Sequence, residues 1–412
     1  MLLSVRVANV LSFRDEQRLS FVATDLNDGS ARPAGIRERG KEVSVLPVLG
    51  LYGANASGKT NALAALRQMR AAVLESLRWF SDRNAARRIP FALDPEFAQQ
   101  PSFHEIDLVL ADGVRYTYGF EIDDDRVRGE WLHAYPRGRK QVWFDREDDE
   151  IDFPGEGLRG EKLELARRTR SDALFLSVAA QFNHHQLLPV FAWFRDNLWL
   201  VSPEMPDQLR RLVYARQRVV RDGTFRKRVE RLLEVADLGL TSIEVVSVAD
   251  EQIRLVHQAG SREIPLEFGQ ESLGTRSWFG LLGALLAAFD TGATILVDEL
   301  DASLHPTMSA EVVGMFVDPA ANPNRAQMLF TTHDVTLLRT LTGGDRVLDR
   351  DAIWLAQKDG HGATELYPLT SFQPPPRKDA NLERSYLLGR YGARPRVAAG
   401  ELAREVELAL SS

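Results

Sequence analysis

The chain has 412 residues, of which 44% are hydrophobic and 26% are charged, and these ordinary proportions exclude a mainly disordered protein. Its length exceeds what one hydrophobic core usually serves, so we expect two domains or one domain with a long insertion. The absence of cysteine excludes disulfides and thiolate metal sites, and the formal net charge of −7 excludes a surface that is basic throughout. Charged residues interrupt the first apolar segment too early for a signal peptide, and no apolar run reaches membrane-spanning length. We therefore expect a cytoplasmic protein.

The first part of the chain is predicted to consist mainly of strands. Alternating apolar and polar residues predict a hairpin formed by residues 2–8 and 18–23. The nearly all-apolar run 45–51 predicts a strand buried on both faces, followed by a helix over residues 59–77. Four alternating segments between residues 103 and 146, separated by turn sequences, predict an antiparallel meander.

The second part of the chain is predicted to change from helices to alternating strands and helices. Apolar residues recur at helical spacing over 177–197 and again over 209–231, which predicts a mainly helical insertion up to about residue 240. Three short strands with helical patterns between them are then predicted at residues 294–297, 327–330 and 351–356. Three consecutive prolines at 374–376 indicate a boundary before a C-terminal tail, whose residues 397–410 have helical periodicity. The order of elements predicts an α/β fold.

Residues 53–60, GANASGKT, have the spacing of a phosphate-binding loop and lie between a predicted buried strand and a predicted helix. The glycines allow a tight turn whose backbone N–H groups face phosphates. Lys59 would reach the β and γ oxygens, and Thr60 would bind magnesium. The alternative is a glycine-rich turn with an incidental lysine, but the strand–loop–helix context favours the phosphate loop.

Two carboxylates, Asp298 and Glu299, follow a short apolar strand. Because ligands bind at the carboxyl ends of parallel strands, Asp298 would meet the magnesium held by Thr60, and Glu299 would face the attacking water. His333 follows the next predicted strand, where it would contact a γ-phosphate. An acidic pair or a histidine at a strand end is often structural, but the order of these residues after the phosphate loop favours catalysis.

A basic stretch, residues 209–231, contains nine arginines and lysines and only two acidic residues. Such a run is most often the solvated face of a helix. A basic patch of this kind also binds nucleic-acid phosphates, which leaves a second interpretation open.

These motifs, in this order, resemble those of the ABC-type ATPases of the SMC and RecF kind, with which the spelling LDASLHP after Glu299 also agrees. The resemblance implies an ABC-type P-loop ATPase core with an antiparallel β subdomain and an inserted mainly helical region, using ATP and Mg²⁺. It also implies a catalytic set of Glu299, His333 and Lys59. The nucleotide contacts that it implies are Gly53, Asn55, Ser57, Gly58, Lys59, Thr60 and Asn61 of the Walker A loop, Ser272 and Gly274 of a divergent signature at 271–275, and Asp301 of a D-loop at 301–305. The implied metal ligands are Thr60 and Asp298.

Three further segments, residues 9–21, 169–183 and 381–395, resemble the RloA or AbiLi-type abortive-infection ATPases of bacterial two-gene antiphage systems. AriA-like ATPases are similar. This resemblance implies a sensor or regulator that works with a separately encoded effector, a Toprim-type, RloB-like nuclease. Asp349 and Asp351 have the DxD spacing found in Toprim nucleases. They precede a predicted strand, however, and too little chain follows for a nuclease domain, so we interpret them as a polar turn. The alternative function is a DNA-repair or chromosome-maintenance ATPase that grips DNA through the basic stretch.

The expected domain division has four parts: an N-terminal ATPase lobe at 1–160, a mainly helical insertion at 161–262, a C-terminal ATPase lobe at 263–373 and a tail at 374–412. In the ABC-type ATPases that the chain resembles, the surface that carries the Walker A loop contacts the nucleotide from one side only. A helix beginning near Ser272 would direct its N-terminus and the Ser272 hydroxyl at the γ-phosphate of a second copy, because helix N-termini attract anions. The expected assembly is therefore a homodimer joined by ATP. The alternative is that Ser272 is an ordinary N-cap, and the two roles are compatible.

Overall fold

The structure is a computed structural model that describes residues 1–79, 87–236, 239–302, 304–339, 346–394 and 400–411. Eighteen β-strands lie within these ranges: β1 Leu2–Ala8, β2 Gln17–Ser20, β3 Arg32–Glu38, β4 Lys41–Val45, β5 Val48–Gly53, β6 Ser102–Val109, β7 Arg115–Ile122, β8 Val127–Ala134, β9 Gln141–Glu147, β10 Glu150–Asp152, β11 Leu198–Val201, β12 Leu240–Ser247, β13 Gln252–Ala259, β14 Arg262–Glu267, β15 Thr294–Val297, β16 Gln327–Thr331, β17 Ile353–Lys358 and β18 Thr364–Pro368.

The same ranges contain eleven α-helices: α1 Lys59–Glu75, α2 Pro95–Gln99, α3 Lys162–Arg168, α4 Phe175–Gln181, α5 Leu188–Asp196, α6 Met205–Arg221, α7 Gly223–Val235, α8 Leu273–Thr291, α9 Pro306–Val317, α10 Leu382–Leu387 and α11 Glu401–Ser411. No helix in the described part of the chain has both the length and the apolar composition needed to cross a membrane.

The central sheet has six strands in the order β11-β15-β16-β5-β17-β18. All neighbours are parallel except β17 and β18. Every residue of β5, β15 and β16 is buried, which explains why these segments are almost entirely apolar. Because the three strands are parallel, their carboxyl ends lie at one edge of the sheet, and the phosphate loop and the Asp298–Glu299 pair follow there.

A second sheet is antiparallel throughout and has the order β10-β9-β8-β7-β6-β1-β2. It contains the predicted N-terminal hairpin and the predicted meander, and both predictions are confirmed. Segment 169–183 joins this sheet to α1. The buried Glu130 carboxylate on β8 accepts the N–H groups of Phe175 and Leu176 at the start of α4, and the Ser177 hydroxyl donates to the Val73 carbonyl of α1 at 2.6 Å.

The range 161–262 contains helices and strands. Its strand β11 belongs to the central sheet and is followed by α6 and α7. Its strands β12 and β13 form a separate three-stranded antiparallel sheet with β14, which begins at the end of this range. The helical periodicity predicted over 177–197 is interrupted between α4 and α5. The predicted strand at 351–356 begins two residues later, because Arg350–Ala352 form a 3₁₀ turn in which the Asp351 carboxylate accepts the Thr24 N–H at 3.0 Å. The α/β fold class with an antiparallel β subdomain is confirmed.

Candidate functional site

The phosphate loop follows β5 at the edge of the central sheet and leads directly into α1. Lys59 is the first residue of α1, and its ammonium group donates to the Gly53 and Ala54 carbonyls at 2.8 and 3.0 Å. The lysine side chain therefore folds back across the loop that precedes it. Burial lowers the pKa of Lys59, and the nearby carboxylates of Asp298, Asp301 and Glu299 oppose that shift.

The residues of the loop have backbone and packing requirements that few side chains satisfy. Gly58 has a φ of 101°, and a Cβ at this position would lie 2.2 Å from the Thr364 hydroxyl oxygen. The Thr364 hydroxyl donates to the Ser57 carbonyl at 2.9 Å, so β18 supports the loop from behind. Ala56 has a positive φ of 59°, a conformation that is uncommon outside glycine. The loop is therefore fixed with its backbone curved around the space in front of Lys59.

Thr60 and Asp298 meet across the edge of the sheet. The Thr60 hydroxyl donates to the Asp298 carboxylate at 3.0 Å, and the buried Thr331 hydroxyl at the end of β16 donates to the same oxygen at 2.7 Å. Magnesium prefers oxygen ligands and is often held by one or two protein groups together with substrate phosphates. The paired hydroxyl and carboxylate therefore fit a magnesium ion held by Thr60 and Asp298.

Glu299 is held in a strained backbone conformation beside this pair. Its φ of 51° lies in the left-handed region, and its N–H donates to the Thr331 hydroxyl at 2.8 Å. The side chain is exposed and lines the cavity in front of Lys59. Residues held in such conformations are concentrated at functional sites, where the surrounding structure compensates for the strain. The strained backbone turns Glu299 away from the course of β15 at the point where Asp298 contacts Thr60.

Asp301 holds the segment that carries His333. Its carboxylate accepts the Thr332 hydroxyl at 2.6 Å and the His333 N–H at 3.2 Å. The His333 side chain is exposed and lines the same cavity as Glu299. Asp301 thus positions His333, which was predicted to contact a γ-phosphate, and also forms part of the cavity wall. Ser303 of the predicted D-loop lies outside the described residues.

The cavity, which we call the phosphate cavity, has a volume of about 540 Å³. Its wall contains the loop residues Asn55 to Asn61, together with Glu299, Asp301, Ala302, Thr331, His333 and Lys358. The sequence motifs did not identify Thr331 or Lys358. Lys358 lies at the carboxyl end of β17, where ligands bind in parallel sheets, but its place beside the loop depends on the pairing of β17 with β5, which the sequence does not reveal.

Two other predicted contacts have different surroundings. The Asn61 side-chain amide donates to the Ser12 hydroxyl at 2.7 Å, so this residue also joins α1 to the N-terminal hairpin. Ser272 and Gly274 are exposed and do not line the phosphate cavity of their own chain. Ser272 is the N-cap of α8, and its hydroxyl accepts the Thr275 N–H at 3.1 Å. The first residue of that helix, Leu273, is 72% exposed.

The basic stretch is partly neutralised by the protein's own carboxylates. Arg211 pairs with Asp207, Arg218 with Asp222, Arg221 with Glu251 and Arg228 with Asp290. Four of its nine basic residues therefore have acidic partners within the described part of the chain. The interpretation as a solvated helix face accounts for this pairing.

A protein-family model matches residues 48–339, which is more than two thirds of the chain. The matching family is described as an AAA domain, putative AbiEii toxin, type IV toxin–antitoxin system. The matched range contains the phosphate loop, Asp298, Glu299 and His333. No curated protein matches the sequence.

Among solved structures, the chain is similar to the SMC head domain from Thermotoga maritima, with 12% identity, a TM-score of 0.39 and coverage of 89% of this chain and 98% of that one. An Smc head bound to the C-terminal winged-helix domain of ScpA has 13% identity and a TM-score of 0.44, with 90% and 98% coverage. A Pyrococcus furiosus Smc head with an extended coiled coil, bound to the C-terminal domain of ScpA, has 12% identity and a TM-score of 0.45, with 89% and 96% coverage.

Proposed function

The chain belongs to the family of AAA domains described as putative AbiEii toxins of type IV toxin–antitoxin systems, and on that premise we propose that it hydrolyses ATP as an ATP-dependent homodimer. The observation that carries the proposal is the convergence of five side chains from separate parts of the sequence. Lys59, Thr60, Asp298, Glu299 and His333 all lie at one edge of the central sheet, around or directly beside the phosphate cavity. Hydrolysis of a phosphoanhydride needs this combination of cation, oxygen ligands for a metal and a group that polarises water.

Each residue has a distinct part in the proposed reaction. Lys59 binds the β and γ oxygens, and the backbone N–H groups of the curved loop bind the phosphates around it. Glu299 accepts a hydrogen bond from the attacking water, and His333, held by Asp301, contacts the γ-phosphate. Magnesium bound by Thr60 and Asp298 would neutralise charge on the phosphate oxygens.

The exposed start of α8 supports a second copy. The phosphate cavity is open to solvent, and no residue of the predicted signature is among the described residues that line it. A partner that presented Ser272 and the N-terminus of α8 would cover the γ-phosphate with a hydroxyl group and helix N–H groups. The exposed Leu273 is suited to such a contact, because burying an apolar side chain stabilises association. ATP would then join two protomers, and hydrolysis would separate them.

For the biological role we propose a cytoplasmic sensor or regulator in antiphage defence, of the RloA or AbiLi type, acting through a separately encoded nuclease effector. The family description, which names a toxin–antitoxin system, is consistent with this class of role. The alternative of a DNA-binding repair or chromosome ATPase has weaker support, because four arginines of the basic stretch are already paired with carboxylates. Salt-dependent DNA binding that is lost when Arg216, Arg218 and Arg221 are neutralised would favour that alternative.

The proposal is tested by measuring phosphate release and molar mass on the same purified sample. With magnesium and ATP we expect steady phosphate release, which stops when the magnesium is chelated. Light scattering should report a dimer with ATP and a monomer with ADP. Hydrolysis at the full rate by a protein that stays monomeric would contradict the dimeric site, and no phosphate release under any condition would contradict the ATPase.

A further inference from the structure

The segment 381–394, which we call the tail segment, packs against the ATPase core. Tyr386 of α10 makes an edge contact with Tyr52 of β5, with ring centroids 6.1 Å apart. Glu383 pairs with Arg339, which follows the short turn after His333, at 2.7 Å. The tail segment is therefore attached to the strand that leads into the phosphate loop and to the segment after His333.

A single side chain, Gln357 near the end of β17, fixes the last part of the tail segment. Its carbonyl oxygen accepts the Ala393 N–H at 3.0 Å and the Tyr367 hydroxyl at 3.2 Å. The Tyr367 hydroxyl also lies 2.9 Å from the Tyr391 carbonyl. Gly392 passes so close that a Cβ would lie 2.5 Å from the Gln357 oxygen, and its φ is 65°. The backbone just before Arg394 is thus set by contacts with the sheet.

These contacts enclose a second cavity, of about 740 Å³, which we call the tail cavity. One wall is the phosphate loop, and the others are the end of β17 and the tail segment. The lining residues are Ala54 to Ser57, Ala356 to Lys358, Gly389 and Gly392 to Arg394. Asn55 to Ser57 and Lys358 line both cavities, so the tail cavity lies directly beside the phosphate cavity.

The charge of the tail cavity differs from that of its neighbour. Its charged lining residues are Lys358 and Arg394, and no carboxylate is among the described residues of its wall. The Ser57 hydroxyl, on a residue only 5% exposed, has no hydrogen-bond partner within the described part of the chain. Arg394 is exposed and makes a long contact of 3.4 Å to the Leu387 carbonyl. Two cations beside loop backbone, without a compensating carboxylate, favour an anion.

We propose that the tail cavity is an anion-binding extension of the phosphate site, in which Lys358 and Arg394 bind a phosphate group. The guanidinium of Arg394 suits this ligand because its N–H groups match phosphate oxygens in pairs. The proposal rests on the proposed ATPase function and adds to it a role for the tail segment. The phosphate has two possible sources: the bound nucleotide, or inorganic phosphate held after hydrolysis.

The test compares Arg394→Ala, Arg394→Lys and Lys358→Ala with the parent by titrating ATP and, separately, inorganic phosphate. Arg390→Ala is the matched control, because this arginine is on the same segment and lines neither cavity. If the nucleotide supplies the phosphate, we expect Arg394→Ala and Lys358→Ala to weaken ATP binding about tenfold, since a hydrogen bond to a charged group contributes at least that factor. If inorganic phosphate occupies the cavity, the affinity of these two variants for inorganic phosphate should fall about tenfold for the same reason, and their affinity for ATP should equal that of the parent. In either case Arg394→Lys should retain part of the affinity, and Arg390→Ala should behave like the parent.

Unchanged affinities for both ligands in Arg394→Ala and Lys358→Ala would overturn the proposal. Because Lys358 also lines the phosphate cavity, the second variant at the tail cavity is Arg394→Gln, which removes the charge but keeps most of the side chain if Arg394→Ala fails to fold. Failure of the proposed ATPase function is distinguished by the parent, which would then bind no ATP. In that case, inorganic phosphate binding that depends on Arg394 supports the anion site, and its absence overturns it.

Discussion

The phosphate cavity and the start of α8 differ in how many contacts their side chains make within their own chain. Around the cavity, functional side chains support one another: Thr60 and Thr331 both donate to Asp298, and Asp301 holds the backbone of His333. At the start of α8, Ser272 and Leu273 are exposed, and the Ser272 hydroxyl contacts only its own helix among the described residues. One region is a cavity whose polar side chains are already held in place by their own chain, and the other is an exposed surface that is suited to a partner.

The difference separates two kinds of mutational effect. Substitutions in the phosphate cavity should change binding or chemistry within each protomer. Substitutions at the start of α8 should leave the nucleotide contacts of the protomer intact and change association. A result in which both regions affect the same measured quantity equally would remove the distinction between them.

The largest effect is expected for Glu299→Gln. The change removes the negative charge to which we assign the polarisation of water in the proposed reaction, while keeping the size of the side chain, so turnover should fall at least about 100-fold, as expected for loss of a general base. ATP binding should persist, and the dimer should accumulate. Steady-state phosphate release and light scattering with ATP measure the two quantities. Glu311→Gln, an exposed position on α9, is the matched control and should keep the parental rate.

Turnover in Glu299→Gln equal to that of the parent would remove this residue from catalysis.

The strained φ of 51° at Glu299 sharpens the comparison further, because a residue that only terminated β15 would not require it. Glu299→Gly should therefore relieve strain and raise the unfolding temperature while abolishing turnover.

The motifs around the phosphate cavity could be predicted from sequence because their geometry is local. A strand, a glycine-containing loop and a helix fix the positions of Lys59 and Thr60, and the length of a buried strand places Asp298 at its carboxyl end. Lys358 and Arg394 could not be predicted in the same way. Their approach to the loop depends on the position of β17 beside β5 and on hydrogen bonds to Gln357, which connect residues far apart in the sequence.

The same limit applies to residues 161–262. The apolar run of β11 is only four residues long and lies between helical patterns, so periodicity alone did not separate it from them. Its assignment to the central sheet depends on pairing with β15, a long-range contact. The helical spacing of apolar residues did predict helix over the basic stretch. The structure divides this helix into α6 and α7 at Asp222, whose side chain caps α7.

An intermediate effect is expected for Lys59→Ala. Removing the ammonium group leaves phosphate oxygens without their principal cation, so the dissociation constant for ATP should rise about 30-fold, as expected for loss of hydrogen bonds to charged groups. Equilibrium binding of a fluorescent ATP analogue measures the change, and Lys140→Ala, on the antiparallel β subdomain, is the control. An affinity for the analogue equal to that of the parent would show that the loop does not hold the phosphates.

The smallest effect is expected for Leu273→Glu, which tests the start of α8. A carboxylate at the first position of a helix is favourable for the helix itself, because the N-terminus carries partial positive charge, so the protomer should keep its stability. In a dimer that brings this residue beside a partner's phosphates, the phosphates would repel the added carboxylate, and the leucine would no longer bury apolar surface. We therefore expect the dissociation constant of the ATP-dependent dimer to rise about tenfold, while the ATP affinity of the monomer stays unchanged.

Leu163→Glu provides a close control for that variant, since Leu163 also lies in the first turn of a helix, α3, and is 64% exposed compared with 72% for Leu273. Sedimentation over a range of protein concentrations with ATP compares the dimer dissociation constants of the two variants. A weaker dimer in Leu273→Glu alone would assign the contact to α8, because the added charge is the same, the exposure is similar and both residues lie in the first turn of a helix. Equal dimer stability in both would mean that the partner covers the phosphate cavity with a different surface.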